Sequence, residues 1–511
     1  MKLLLNIKIN KANGPDEVPG RFLKTCAHEI TDMYQMLFQA SLDQGIVPQD
    51  WKEANVVPLY KKGDRTNPGN YRPISLTSLS CKLLEHVVQS NVMTHLDKFN
   101  VLDNAQHGFR KYRSCVTQLI TTLNDFSNCL NEKEQTDAIL LDFSKAFDKV
   151  DHNGLILKLE HFGIRSSLLN WIRSFLMDRK QRVLVDGMAS TPTTVLSGVP
   201  QGTVLGPLFF LIYINDISKG LSQGTKIRLF ADDSLLYRTI KTPLDSAALQ
   251  KDLDTLQLWE KKWKMEFHPG KCQLLRITNK INPLKSDYKI HNTIISETDA
   301  AKYLGVFIDS KLNWKQQYTH IIKKSNIVLS FISRNLNKCP KSIKSKCFTT
   351  LVRPHLEYAC AVWDPHFQTD IDSIDRVQKR AARFATNNYC FETGNSEKNR
   401  KSLEWDTLEE RRLQTKLTTF HKARLKLLEI PTDHLKFKDR KTRHNGDGIC
   451  YSRTFSTVDS HKFSFYQSTI ALWNLLPAEI KLCEDADLFT SKIKSINLTS
   501  LKNQTCKYNF K

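Results

Sequence analysis

The chain has 511 residues, 40% of them hydrophobic and 25% charged, the composition of a globular protein with room for about two to four domains. Seventy-five Lys and Arg against 53 Asp and Glu give a net charge of +22 and a pI near 9.4, which points to a polyanionic partner: nucleic acid or an acidic membrane surface. The longest apolar run, residues 208–214, is far short of the ~20 residues a membrane span needs, no signal-peptide pattern is read, and twelve scattered Cys form no Cys-x-x-Cys pair, so a membrane protein, a zinc knuckle and a disulfide scaffold are not supported. Reduced thiols in the cytoplasm or nucleus are the expected setting. The charge is uneven. Residues 311–511 hold 36 Lys and Arg against 20 Asp and Glu, a net +16 of the total, which suggests chemistry in front and a nucleic-acid grip behind.

In chain order, residues 10–20 are turn-rich. Ile30, Met33, Leu37 and Leu42 fall broadly on one side of a helix over 29–43. A strand over 54–60 runs into the basic turn Lys61-Lys62-Gly63-Asp64. Leu79, Leu83, Leu84, Val87, Val88 and Leu96 recur at helical spacing over 78–98. Val116, Leu119, Ile120, Leu123 and Phe126 do the same over 114–130, with Ser114 as cap. The centre turns β-rich: an apolar strand, 138–141, ends on Asp142. Strands 182–185 and 193–196 flank a long hairpin loop opened by Asp186-Gly187, and 226–230 and 234–240 flank the tight acidic hairpin Ala231-Asp232-Asp233. Helices over 167–177 and near 205–217 fill the gaps. This is an α+β pattern, an antiparallel sheet with helices packed on it, and from about Tyr318 the chain reads as helical, polar and basic.

Two adjacent carboxylates on a hairpin repel unless a cation sits there, although acidic residues suit turns anyway. Asp142 sharpens the reading, because it closes a buried strand rather than sitting in a solvated loop. Asp142, Asp148 and Asp151 compete for a metal role; Asp142 is preferred because its strand can be reached by a neighbouring hairpin. Three such carboxylates suit two Mg²⁺ ions, which activate a primer hydroxyl and stabilise leaving pyrophosphate. Between the acidic segments lies Ser197-Gly198-Val199-Pro200-Gln201-Gly202, where glycines allow close backbone approach and Gln201 offers both donor and acceptor.

In order and wording these segments resemble the reverse transcriptases of non-LTR (LINE-type) retrotransposons, in their jockey-like and chicken-repeat branch. The phrases are Lys11-Ala12-Asn13-Gly14-Pro15-Asp16, Trp51-Lys52-Glu53-Ala54, Pro58-Leu59-Tyr60-Lys61-Lys62-Gly63-Asp64, Asn70-Tyr71-Arg72-Pro73-Ile74-Ser75-Leu76 and Gln106-His107-Gly108-Phe109-Arg110. The segments at Asp142, Gln201 and Asp232 follow, then Lys302-Tyr303-Leu304-Gly305. A weaker match runs through Arg380-Ala381-Ala382-Arg383-Phe384 and Leu472-Trp473-Asn474-Leu475-Leu476-Pro477.

The resemblance implies a right hand of fingers, palm and thumb: residues 1–40 lead into the fingers, 41–310 form fingers and palm, 311–385 a thumb-like helical region and 386–511 a basic C-terminal region. It implies Asp142, Asp232 and Asp233 as catalytic ligands of two Mg²⁺ ions, with Mn²⁺ as a substitute. By the same resemblance Phe147 lies beneath the incoming sugar, Gln201 beside the nascent base pair, and Arg72 on the triphosphate with Lys61 or Lys62 nearby. Lys271 takes the place of a proton donor to pyrophosphate, and Tyr303-Leu304-Gly305 that of the primer grip. The expected activity is RNA-directed DNA synthesis from a DNA primer, an RNA template and deoxynucleoside triphosphates, with no membrane. Phe230 stands where tyrosine often precedes the acidic pair. No upstream endonuclease, zinc knuckle or ribonuclease H constellation is read, so a fragment of a longer element product, or a genomic copy that has lost its front end, is expected. The competing readings are an inactive remnant or domesticated nucleic-acid-binding module, and an RNA-templated RNA polymerase, against which the bulky Phe147 argues.

Overall fold

The structure, a computed structural model, describes residues 1–390, 392–438 and 449–507. Its helices start where the sequence supplies caps. Ser78 accepts a hydrogen bond from the Cys81 amide and opens the helix Leu79–Lys98, while Ser114 and Thr117 form a capping box at the head of Cys115–Asn131.

Strand β1 (Glu53–Tyr60) pairs antiparallel with β2 (Tyr71–Leu76). Strand β3 (Gln135–Leu141) founds a second sheet, while β4 (Lys180–Val185) returns to the first, parallel to β1, with β5 (Met188–Ala189) and β6 (Thr193–Thr194) antiparallel against it. The second sheet gains the hairpin of β7 (Thr225–Phe230) and β8 (Asp233–Thr239), then β9 (Gln273–Thr278). A small hairpin, β10 (Lys289–Ile290) and β11 (Thr293–Ile294), precedes β12 (Ser296–Glu297), giving the sheet order β12-β9-β3-β8-β7. Finally β13 (Ala300–Tyr303) and β14 (Val306–Asp309) form a hairpin of their own.

The central sheet is apolar on both faces, in strict alternation. Ile139 and Leu141 of β3, Leu236 of β8 and Leu274 of β9 enter a core with Trp171, Phe175 and Phe209. Their neighbours Ala138, Leu235, Tyr237, Leu275 and Ile277 enter a second core with the helix Cys115–Asn131. That second core continues through Trp363, Phe420 and Trp473 to Leu498, so residues before 311, between 311 and 385, and after 385 share it.

Three expectations change. The sheets are not wholly antiparallel, since β12 runs parallel to β9 and β4 parallel to β1. The long hairpin over 182–196 closes at once: Asp186 and Gly187 both take positive φ, the geometry of a two-residue turn that matches strand twist, and Val185 pairs with Met188. Residues 193–194 then return to the start of β4, leaving Leu196 outside the strand and 85% exposed. Lastly, Asp233 is not at the hairpin tip but pairs with Phe230 as the first residue of β8.

Candidate active site

Asp142 is the first residue beyond β3. Its carbonyl accepts from the His268 amide at 2.8 Å, and the Ser144 amide donates to the Glu266 carbonyl at 2.8 Å. The strand end is thereby tied to the segment that carries Lys271, whose Nζ lies 3.8 Å from Asp142 Oδ1. Both side chains are about half exposed, so this ion pair places charge rather than supplying much stability.

Ala231 and Asp232 form the tip of the β7–β8 hairpin, one strand away from β3. Ala231 has φ +54°, a conformation that costs a residue with a Cβ and must be held by its surroundings. Gln106 holds it. Its buried Oε1 accepts from the amides of Ala231 at 2.9 Å and Gly108 at 2.7 Å. Around it the chain runs parallel to β7, with the His107 amide donating to Leu229 O and the Leu229 amide to Ala105 O. A Cβ on Gly108 would sit 2.4 Å from the Ala231 nitrogen, so no larger residue fits. The sequence showed Gln106-His107-Gly108 as a phrase without a role; its function as a clamp on the acidic tip became visible only in three dimensions.

Asp232 and Asp233 reach solvent, yet the surrounding protein removes enough water to disfavour charge. The Asp233 carboxyl is pushed up to about 6, first by desolvation and then by the negative charges of Asp232 and Asp142, with Lys61 opposing. Asp232 is also raised by desolvation and by Asp142, and lowered by Lys61 and Arg72. The three acids and two of the expected cations therefore lie within electrostatic reach of one another. Lys62 is exposed in the same loop. Among the described residues no three carboxylate, imidazole or thiol groups are drawn together closely enough to hold a metal ion. The donor chemistry nevertheless fits a hard divalent cation: all-oxygen ligands carrying negative charge that repels itself.

The other two candidate acids are engaged elsewhere. Asp151 caps the helix His152–His161 and receives Lys264 Nζ at 2.7 Å. Asp148 Oδ1 accepts from Gln201 Nε2 at 3.1 Å. The whole 197–202 loop is fastened there: the amides of Gly198 and Val199 donate to Val150 O and Phe147 O, and Gln201 O accepts from the Ser75 amide of β2 at 2.7 Å. Gly198 and Gly202 have φ +88° and +117°, and a Cβ on Gly202 would lie 2.6 Å from Ser75 O. Phe147 is half-buried and stacks on Phe210 with centroids 4.4 Å apart.

Leu304 and Gly305 form the two-residue tip of β13–β14, both with positive φ. The buried Tyr303 hydroxyl accepts from Gln118 Nε2 at 3.1 Å, and its phenol is raised by desolvation and by Asp233, which puts this hairpin within electrostatic reach of the acids. Tyr358 Oη donates to the Leu304 carbonyl at 2.9 Å and braces the tip.

Residues 60–308 match the family described as reverse transcriptase (RNA-dependent DNA polymerase). The chain's similarity lies with non-LTR mobile elements. It is 26% identical over 392 residues to "RNA-directed DNA polymerase from mobile element jockey" of Drosophila melanogaster, and 29% over 393 residues to the jockey polymerase of Drosophila funebris. It is 27% identical over 401 residues to "Probable RNA-directed DNA polymerase from transposon BS" of Drosophila melanogaster. These alignments take in 75–76% of this chain and 43–44% of the relatives, so it spans less than half the length of the curated relatives it matches. Among solved structures, apo telomerase from Candida tropicalis aligns over 80% of this chain and 73% of its own, at 11% identity and a TM-score of 0.40. No helix among the described residues is long and apolar enough to cross a membrane.

Proposed function

We propose that this chain is the RNA-directed DNA polymerase of a non-LTR retrotransposon, extending a DNA primer on an RNA template. The observation that carries the reading is that Asp142, Asp232 and Asp233 lie within electrostatic reach of one another and of Lys61 and Arg72. Asp142, Asp232 and Asp233 would hold divalent cations, two Mg²⁺ in this reading, which supply activation of the primer hydroxyl and neutralisation of the leaving pyrophosphate. Lys61 and Arg72 bind the triphosphate from the fingers side. Lys271, beside Asp142, holds a proton near the leaving group. Phe147 floors the sugar site, and Gln201, fixed through Asp148 and Ser75, lines the position of the new base pair. Tyr303, Leu304 and Gly305 seat the primer end.

The test is primer extension on poly(rA) with oligo(dT), dTTP and Mg²⁺. The parent should extend, while Asp232→Asn and Asp142→Asn should lose at least about a thousandfold in turnover with RNA binding unchanged. A parent that binds RNA but never extends a primer would replace this reading with that of a nucleic-acid-binding module.

A further inference from the structure

The helix Leu79–Lys98 carries a carboxylate on a side that is otherwise apolar. Glu85 is 0% exposed, and its helical neighbours Cys81, Leu84 and Val88 are core residues. Withdrawing an acid from water is costly unless specific donors receive it. Burial pushes its carboxyl up, while two backbone amides, Arg179 and Lys82 oppose that rise. The amides come from a distant part of the chain. Glu85 Oε2 accepts from the Val204 amide at 2.6 Å and from the Leu205 amide at 3.0 Å, at the head of the helix Leu205–Ile214. Both are donors that a helix leaves without an internal acceptor.

The head of that helix is mechanically continuous with the loop that bears Gln201. Thr203 Oγ1 donates to the Pro200 carbonyl at 2.9 Å and accepts from the Gly206 amide at 3.1 Å, so residues 200–206 close on themselves. A Cβ on Gly206 would lie 2.9 Å from the Pro200 oxygen, so this closure also needs the glycine. Upstream, the loop is fastened to residues 147–150 and to Ser75 through Gly198, Val199 and Gln201. Glu85 is the fastening on the downstream side. Glycines give the loop little shape of its own, so its position depends on where its ends are held.

We propose that Glu85 is a positioning residue for nucleotide selection: from within the core it holds residues 204–205, and through them Gln201, at the place of the new base pair. The role of Gln201 rests on the polymerase reading above; the grip of Glu85 on the loop does not. A loop that meets the bound nucleotide before reaction as well as during it contributes to binding more than to turnover.

Two measurements on the full chain test this. Hydrogen exchange of peptides spanning 197–206, read by mass spectrometry without nucleotide, reports the grip. Extension of oligo(dT) on poly(rA) with dTTP and Mg²⁺ reports its use. Glu85→Leu leaves both amides without their acceptor and should speed exchange in these peptides about tenfold. It should also raise KM for dTTP about tenfold, with kcat within about threefold of the parent. Glu85→Gln keeps an accepting oxygen and loses the charge; it should fall between the two, and it carries the same test if the Leu variant does not fold. In a Gln201→Ala background either change should alter KM less than about twofold, because both act at one place. Leu84→Ala opens a cavity at the adjacent position of the helix and should lower the unfolding temperature without moving KM. Parent-like exchange and KM in the Glu85 variants, a KM effect that persists in full without the Gln201 side chain, or an equal effect of Leu84→Ala would each overturn the proposal. A parent that never extends a primer would overturn the polymerase reading and the selecting role with it, while faster exchange in the Glu85 variants would still locate the grip, so the two failures are told apart.

Discussion

Phe147 stands on Phe210, and that stack turns a single side chain into a rigid floor. If Phe147 floors the sugar site as proposed, its phenyl ring cannot hydrogen-bond a 2′-hydroxyl, and stripping that hydroxyl of water without compensation costs about 1–3 kcal/mol, or roughly ten- to a hundredfold in selectivity before any steric overlap. Phe147→Val is therefore expected to lower the dTTP-over-UTP ratio of kcat/KM at least about tenfold on one RNA template, while deoxynucleotide incorporation stays measurable. An unchanged ratio in the folded variant would refute the gate. His421 makes a prediction of another kind. It is fully buried, stacked on Phe489 at 3.9 Å, and neither ring nitrogen has a partner among the described residues. Burial first, and then Arg424, push its pKa down to about 4. Between pH 6.5 and 4 the unfolded chain binds a proton that the fold refuses, so stability falls as the pH falls through that window. His107, pushed down to about 3, acts in the same direction. His421→Phe should remove about 1–2 kcal/mol of the stability lost between pH 7 and pH 5, measured by urea unfolding at both pH values. Parallel curves for parent and variant would show that His421 is not the titrating group.

At the scale of elements, the acidic hairpin is only as well placed as the clamp behind it. Gln106→Leu leaves the Ala231 amide without an acceptor and frees a strained tip, so turnover should fall about ten- to a hundredfold with KM for dTTP within about threefold of the parent. Gln106→Glu keeps the accepting oxygen and should recover part of the loss. Equal kcat in the Leu variant would mean the tip holds its own shape. This clamp also shows where reading the sequence reached its limit. The long helices, the two acidic strand ends and the loop at Gln201 were legible because periodicity, caps and glycines are local signals. The helix Pro243–Trp263 shows no clean apolar stripe, because charge breaks its buried face, and its signal lies in the cap instead: Thr242 and Asp245 form a capping box and Pro243 opens it. The partners of Gln106 and Asp148 lie 125 and 53 residues away in the chain, and no local pattern announces such pairings. Likewise, Asp142 could be preferred over Asp148 and Asp151 from its strand, but the occupations of those two rivals needed the fold.

Over the whole molecule, basic charge and hydrophobic core follow different divisions of the chain. The positive excess sits after residue 310, whereas the core behind the central sheet runs from Leu119 to Leu498. Deleting residues 311–511 to test nucleic-acid grip would therefore open that core, and charge reversal is the cleaner probe. Lys323 and Lys324 lie exposed on the helix Lys315–Asn335. If they neutralise phosphates, Lys323→Glu with Lys324→Glu should weaken RNA binding and make the slope of log affinity against log salt shallower by about 1–2, measured by titration at several salt concentrations. A parent-like slope would assign these charges to solubility alone.

The shared core also bears on how copies of such a gene decay. A premature stop codon well past the last acidic residue still removes Trp363, Phe420 or Trp473 from behind the sheet that bears Asp142 and Asp232. On the proposed reading, nonsense mutations downstream of the acidic residues should thus silence the activity as surely as mutations among them, through misfolding rather than through loss of a reactive group. In a population of copies, an open reading frame intact to Leu498 becomes as strong a mark of recent selection as three intact aspartates.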